Sequence, residues 1–149
     1  MTFRAGPRIE GNRRSFLVVV HRSEDSEDHP SPRPLLIFEE QEGGAYRLAA
    51  RNDMAVLRAN EGGQCDPFEN GYDGLAMKGH YFTVQNAVAC GDHWTDFITF
   101  RYEASHREWL FVSEIFTSSD PLNGTPDKVD VKHAKGDKPI AFQDWYPTR

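Results

Sequence analysis

The chain has 149 residues and a formal charge of −6, from 17 Lys and Arg against 23 Asp and Glu. This length suits one domain. Ten Phe, five Tyr and three Trp supply apolar area for a core, although hydrophobic residues make up only 38% of the chain. No apolar run approaches the roughly 18 residues that span a membrane, and the acidic balance argues against a nucleic-acid partner. The sequence therefore predicts a single globular domain over residues 1–149.

Short β-strands are predicted along most of the first half. Residues 1–14 carry four arginines and no apolar stretch typical of a signal peptide, and we expect a flexible N-terminal arm there. Residues 22–34 are rich in acids and prolines and lack a large apolar side chain, which predicts a long, mobile, solvated loop. The predicted strands are Ser15 to His21, Pro34 to Glu40, Ala45 to Ala50 and Met54 to Leu57, with a turn at residues 41–44 between the second and third.

The second half continues the β pattern. A second long polar loop is predicted over residues 117–128, and the predicted strands are His80 to Val88, Asp96 to Tyr102, Glu108 to Phe116, Val129 to His133 and Pro139 to Phe142. No window shows a convincing helical stripe. The fold class is therefore all-β: an antiparallel meander of about nine short strands that forms a sandwich, a barrel or a propeller-like array.

The densest polar cluster lies between Cys90 and Asp96. A nucleophilic site would pair Cys90 with His93, because a thiol needs a nearby base or cation to become a thiolate. A metal site would use Asp92, His93 and Asp96, with His80 or His106 brought in from elsewhere. The short spacing inside a loop fixes no geometry, and the sequence supplies no further partner for Cys90 and His93, so we predict no catalytic residue, no metal site and no cofactor. The simpler interpretation is that Cys90 forms a disulfide and that Trp94 is a core or rim aromatic.

A second cluster of acids lies in CDPFENGYDG, residues 65–74. Oxygen ligands on a glycine-rich loop suit calcium, but the spacing does not match a known calcium loop, and turns use the same residues. This stretch also contains the other cysteine, Cys65. A bridge between Cys65 and Cys90 would close a loop of about 25 residues and contribute roughly 3 kcal/mol, whereas two free thiols would fit a reducing compartment.

Several strings resemble a group of poorly characterised exported proteins of Gram-negative bacteria, which are periplasmic proteins or lipoproteins. These strings are YRLAARND, CDPFE, VQNAVACGDHWTDFITFRY and EWLFVSEIF. Some of these proteins look like inhibitors or immunity proteins that neutralise cell-wall hydrolases. The resemblance implies a β-rich periplasmic protein with a disulfide between Cys65 and Cys90, and it implies no catalytic residues. Because the chain shows no export signal, a cytoplasmic location is the alternative.

The leading functional hypothesis is a monomeric binding protein, an immunity or inhibitor protein that neutralises a partner enzyme such as a cell-wall hydrolase or a secreted toxin. Acidic residues would speed its encounter with a basic hydrolase. The predicted partner-binding residues are Tyr72, Asp73, His93, Trp94 and Asp96. The alternatives are a small hydrolase that uses Cys90 and His93 or an Asp/His metal site, and a non-catalytic structural exported protein.

Overall fold

The strands form two separate antiparallel sheets. The computed structural model describes residues 1–62, 66–68, 74–88 and 93–148. Across these residues, the strands are β1 (Thr2–Ala5), β2 (Ser15–Val19), β3 (Leu35–Glu40), β4 (Tyr46–Asn52), β5 (Leu75–Lys78), β6 (Tyr81–Val88), β7 (His93–Glu103), β8 (Glu108–Asp120) and β9 (Thr125–His133). A four-residue helix, α1, covers Ala59–Gly62, and single 3-10 turns cover Glu10–Asn12 and Phe142–Asp144.

Both sheets are simple meanders. The first has the strand order β1-β2-β3-β4 and the second has the order β5-β6-β7-β8-β9. The all-β prediction is confirmed, and among the three predicted architectures the structure is sandwich-like, since its sheets do not close into a barrel. No helix in the described ranges is long and apolar enough to cross a lipid bilayer.

The core consists of the inward-facing residues of both sheets. The alternation of strands β2 and β3 buries Leu17 and Ile37 from the first sheet. The second sheet contributes a group of aromatic rings, in which Phe100 lies 5.2 Å from Phe82 and 5.0 Å from Phe142, measured between ring centroids. Phe142 belongs to the C-terminal 3-10 turn, so the tail of the chain packs into the core and does not trail away from it.

The prediction of a flexible N-terminal arm over residues 1–14 is wrong, because Thr2–Ala5 form strand β1. β1 pairs with β2 in an antiparallel register that places Phe3 opposite Val18. Farther along, Ile9 is only 2% exposed, and the Ser15 hydroxyl donates a hydrogen bond to the carbonyl of Pro7. The four arginines suggested a flexible segment, but an edge strand also tolerates charged side chains that point into solvent.

The predicted polar loop over residues 117–128 is also wrong. β8 extends to Asp120, β9 begins at Thr125, and the two pair along most of their length. The connecting turn ends at Gly124, whose φ of 61° suits glycine. Polar residues occupy this hairpin at little cost because nearly every position of β9 is exposed. Composition therefore indicated solvation correctly, but solvation does not prevent strand pairing.

Two further predicted strands do not form. Met54 to Leu57 is a series of bends that leads into α1, and Pro139 to Phe142 forms only an isolated bridge between Ala141 and Leu110. Besides β1, one strand, β5, lies where no strand was predicted. The turn at residues 41–44 is confirmed, with Gly43 and Gly44 both at positive φ. The predicted strands Asp96 to Tyr102 and Glu108 to Phe116 are also confirmed, as parts of β7 and β8, which pair with each other.

Residues 22–34 lack strands, as predicted, but two of their side chains are not solvated. Arg33 is fully buried, and its Nε donates a hydrogen bond to Asp25 Oδ2 at 2.7 Å. Its Nη1 contacts the buried carboxylate of Asp66 and lies 3.4 Å from the carbonyl oxygen of Leu57. This cluster, which we call the Arg33 cluster (Asp25, Arg33 and Asp66), joins the loop to two distant segments of the chain.

Hydrogen bonds within the Arg33 cluster stabilise the charged forms of Asp25 and Arg33. Burial by itself would raise the pKa of Asp25, but the hydrogen bonds from Arg33 and Ser31 outweigh it, and the pKa lies below its ordinary value. Burial would lower the pKa of Arg33, but the hydrogen bonds to Asp66 and Asp25 outweigh it and raise the pKa. Asp25 and Arg33 therefore stay ionised at neutral pH.

We predict that Arg33→Ala lowers the free energy of unfolding by about 3–5 kcal/mol, because it leaves two buried carboxylates without their cation. The matched control is Arg22→Ala, an exposed arginine in the same loop, which is expected to change stability by no more than about 0.5 kcal/mol. Urea unfolding monitored by tryptophan fluorescence measures both. Equal losses in the two variants would show that the Arg33 cluster does not stabilise the fold.

His21, which lies beside this cluster, makes the stability of the fold depend on pH. Its Nε2 is buried and has no hydrogen-bond partner among the described residues. Burial, followed by the positive charge of Arg33, lowers the pKa of His21 from its ordinary value of 6.5. Between pH 6.5 and that lower folded pKa, the unfolded chain binds a proton that the folded chain resists, so stability falls as the pH drops through this window.

We predict that His21→Gln reduces the loss of stability on going from neutral pH to about pH 5. Urea unfolding at a series of pH values gives the slope for wild type and variant. His29→Gln, at an exposed position of the same loop, serves as the control. A slope that is unchanged by His21→Gln would contradict the assignment.

Candidate functional site

A cavity of about 290 Å³ opens at one end of the five-stranded sheet. Its volume lies at the lower limit of small-molecule sites, which commonly hold about 300–1,000 Å³. Three parts of the chain line it. The sheet contributes Asn86, Trp94, Asp96, Ile98 and Phe116; the segment after β4 contributes Asp53, Leu57, Arg58 and Glu61; the C-terminal tail contributes Trp145 and Pro147. We call this space the Trp94 cavity.

Strand alternation explains how β7 supplies its share. Residues two apart point to the same face of a strand, so Trp94, Asp96 and Ile98 all face the cavity. The Trp94 ring packs on Phe116 of β8, with ring centroids 6.0 Å apart and planes inclined by 28°. His93 lies on the opposite face of β7. The structure therefore brings two of the predicted residues, Trp94 and Asp96, into one site and separates His93 from them.

The wall formed by residues 53–57 pairs with no strand in the described part of the chain, and side chains supply hydrogen bonds to its backbone. Asn52 Oδ1 accepts hydrogen bonds from the backbone N–H of Met54 at 2.7 Å and Ala55 at 2.8 Å. The Nδ2 of Asn52 donates to the carbonyls of Phe142 at 2.6 Å and Trp145 at 2.8 Å. A single buried amide thus joins the wall to the C-terminal tail.

A second amide, Asn86, holds the same wall from the sheet side. Its Oδ1 accepts from the backbone N–H of Leu57 at 3.0 Å, and its Nδ2 donates to the carbonyl of Ala55 at 2.8 Å. The carbonyl of Leu57 also faces Arg33 of the Arg33 cluster. Backbone polar groups that are buried without partners cost free energy comparable to a lost hydrogen bond. These side chains therefore allow an irregular segment to form a buried wall.

Acidic groups outnumber basic ones around the cavity. The lining residues include the carboxyl groups of Asp53, Glu61 and Asp96 and the guanidinium of Arg58. Asp96 is only 5% exposed. At the rim, the hydrogen bond from Arg51 lowers the pKa of Asp53, and Glu61 Oε2 accepts a hydrogen bond from the backbone N–H of Arg58 at 2.6 Å. The cavity combines aromatic faces with negative charge, an arrangement that suits a cationic group.

Several predicted residues lie outside the described part of the chain. Tyr72, Asp73, Cys65 and Cys90 are among them, so the disulfide and the Cys90–His93 pair stay predictions. Asp66 is described, and its carboxylate contacts Arg33 while its Oδ1 accepts from the backbone N–H of Phe68 at 2.8 Å. Within the described residues, no group of three His, Cys, Asp or Glu side chains is arranged to hold a metal ion.

Sequence reasoning missed the two asparagines that build the wall. A signal for Asn86 was present, because it interrupts the alternating apolar face of β6 between Val84 and Val88. A polar residue in that register must find hydrogen-bond partners once it is buried. No comparable signal marked Asn52, whose Nδ2 donates to carbonyls that lie 90 and 93 residues away in the chain.

The outer face of the four-stranded sheet is a second notable surface. It exposes Phe3 at 55%, Leu48 at 47% and Tyr46 at 38%. Phe16 lies between two of these rings, at 4.9 Å from both Phe3 and Tyr46. Exposed apolar patches often mark interaction surfaces. Charged side chains border this patch, since the Arg14 guanidinium lies 5.9 Å from the centroid of the Tyr46 ring and Glu40 lies opposite Tyr46.

Comparison with known proteins adds no further assignment, since no protein-family model, no curated protein and no solved structure matches the chain.

We predict that Asn86→Ala lowers the free energy of unfolding by about 2 kcal/mol or more, because it leaves the backbone N–H of Leu57 and the carbonyl of Ala55 without partners, at about 1–3 kcal/mol each. Gln85→Ala, on the opposite face of the same strand, is the matched control and should be nearly neutral. Urea unfolding compares them. A loss no larger than that of the control would mean that water or a rearranged wall replaces these hydrogen bonds.

Proposed function

We propose that this chain is a binding protein that engages a basic partner protein, and that it acts as an immunity or inhibitor protein against a cell-wall hydrolase or a secreted toxin. The observation that carries the proposal is the Trp94 cavity, which presents Trp94 beside several carboxyl groups. The periplasmic location and the class of partner come from the sequence resemblance.

The size and lining of the cavity favour one inserted side chain over a large cofactor. At about 290 Å³ it is at the lower limit for small-molecule sites. Binding energy in protein interfaces concentrates in a few well-packed anchors, often aromatic residues and arginines. A lysine or arginine side chain of the partner would place its apolar stem against Trp94 and Phe116 and its charge near Asp96 and Glu61.

The charge of the whole chain supports the same kind of partner. The formal net charge of −6 attracts basic proteins over distances longer than direct contact, which speeds association at low salt. Affinity itself would come from the desolvated anchor in the cavity, since exposed ion pairs contribute little. The proposal therefore separates two effects: salt should change the association rate, and the cavity should control dissociation.

The test compares capture by four immobilised proteins: wild type, Trp94→Ala, Glu61→Lys and the control Glu42→Lys, which changes an exposed acid in the β3–β4 turn. Each is exposed to an extract of the producing cells and to purified basic peptidoglycan hydrolases. We expect wild type and the control to retain and inhibit one hydrolase or toxin. Trp94→Ala should weaken its binding by about 30-fold, as expected for a hot-spot residue. Urea unfolding checks that each variant is folded.

Two results would contradict the proposal in different ways. If no hydrolase or toxin is retained or inhibited, the chain is not an inhibitor of such enzymes. If a partner is retained equally by all four proteins but is lost on Leu48→Ser, binding uses the outer face of the four-stranded sheet, and the role of the Trp94 cavity is wrong.

A further inference from the structure

The last strand, β9, is an open edge of the five-stranded sheet. In the described part of the chain it pairs with β8 alone, and eight of its nine positions are exposed. Two of the exposed side chains are apolar, Val129 at 60% and Val131 at 46%. Ile115 lies opposite Val131 on the same face and is 41% exposed. Such an edge is a template on which another strand can pair.

The hydrogen-bond pattern shows which backbone groups face outward. The N–H of Ala134 donates to the carbonyl of Val112 at 2.8 Å, next to the opposed pair Ser113 and His133. In an antiparallel ladder this pair is therefore of the type that exchanges no hydrogen bonds, and the types alternate along the strand. It follows that Lys132 and Asp130 bond to β8, while the N–H and C=O groups of Val129 and Val131 point to the open edge.

The side chains of β9 are complementary to a second copy of the same strand. A two-fold axis at Val129 would pair all nine residues, from Thr125 opposite His133 to Val129 opposite itself. In that register each Lys128 lies opposite Asp130 of the other copy. An axis at Asp130 would instead place Asp130 opposite Asp130 and Lys128 opposite Lys132, and like charges directly opposed are destabilising.

The two charges that this register uses are not engaged in an ion pair described elsewhere in the fold. Lys132, by contrast, already lies 3.5 Å from the buried carboxylate of Glu114. Pairing at Val129 also places the exposed Val129 side chains of the two copies opposite each other, while each Val131 lies opposite Asp127 of the other copy. Isologous two-fold contacts require this kind of self-complementary surface.

We propose that two copies of this chain associate through β9, antiparallel and centred on Val129, to form one continuous ten-stranded sheet. The dimer would replace the monomer predicted from the sequence. The inference does not depend on the proposed inhibitor function, because it uses only the edge strand.

Sedimentation velocity over a wide range of protein concentration tests this dimer. The wild type is compared with variants in which one charge of the opposed pair is reversed. Wild type should dimerise, and the dimer should weaken as salt is raised. Lys128→Glu places two carboxylates opposite each other, and Asp130→Lys places two ammonium groups opposite each other, so each variant alone should dimerise about tenfold or more weakly. Mixing the two variants should restore association, because every opposed pair again carries opposite charges. Lys135→Glu, just outside the strand, is the control.

Hydrogen exchange provides a readout that needs no variant. The amides of Val129 and Val131 should gain protection at high concentration, whereas that of Asp130, already bonded to β8, should change little. A wild-type protein that is monomeric at all concentrations would overturn the proposal. So would a dimer that is insensitive to both charge reversals, or one in which the mixture of variants associates no better than either alone.

Discussion

The architecture depends on how the backbone of residues 53–57 finds hydrogen-bond partners. Among the described residues this segment pairs with no strand. The side chains of Asn52 and Asn86 bond several of its backbone polar groups, and Arg33 faces the carbonyl of Leu57. Burying backbone polar groups without partners would cost free energy at each of them. Because these side chains supply the missing partners, an irregular segment joins one sheet to the other and to the C-terminal tail.

The Arg33 cluster extends this constraint to the loops. A buried guanidinium carries a large desolvation cost, which is recovered only if its partners are close and well oriented. Asp25 comes from the acidic loop and Asp66 from a turn far along the chain, so the cation can be buried only when both segments are in place. The cluster therefore fixes the relative position of these loops, which contain few apolar residues to hold them in place.

The Trp94 cavity is a consequence of the same arrangement. Its floor is a strand face and its wall is the segment that the asparagines hold, so its shape depends on buried polar contacts more than on the residues exposed within it. At the opposite extreme, β9 has almost no buried side chain and is held by its ladder with β8. One end of the sheet thus offers a preformed concave site, and its edge offers backbone groups and alternating charges. These are two different ways in which a β-sheet binds another chain.

The sequence by itself determined the β class and the approximate place of most strands, because alternation of apolar residues is a local signal. It also named Trp94 and Asp96 among the predicted partner-binding residues, but the predicted strand began at Asp96, and only the structure places both residues on one face of β7. Only the tertiary structure decided that Met54 to Leu57 is not a strand, that residues 117–128 form the turn end of the β8–β9 hairpin, and that His93 points away from Trp94. The reason is that pairing depends on partners distant in the chain. Asn52 and Phe142 meet across 90 residues, and no local pattern encodes that contact.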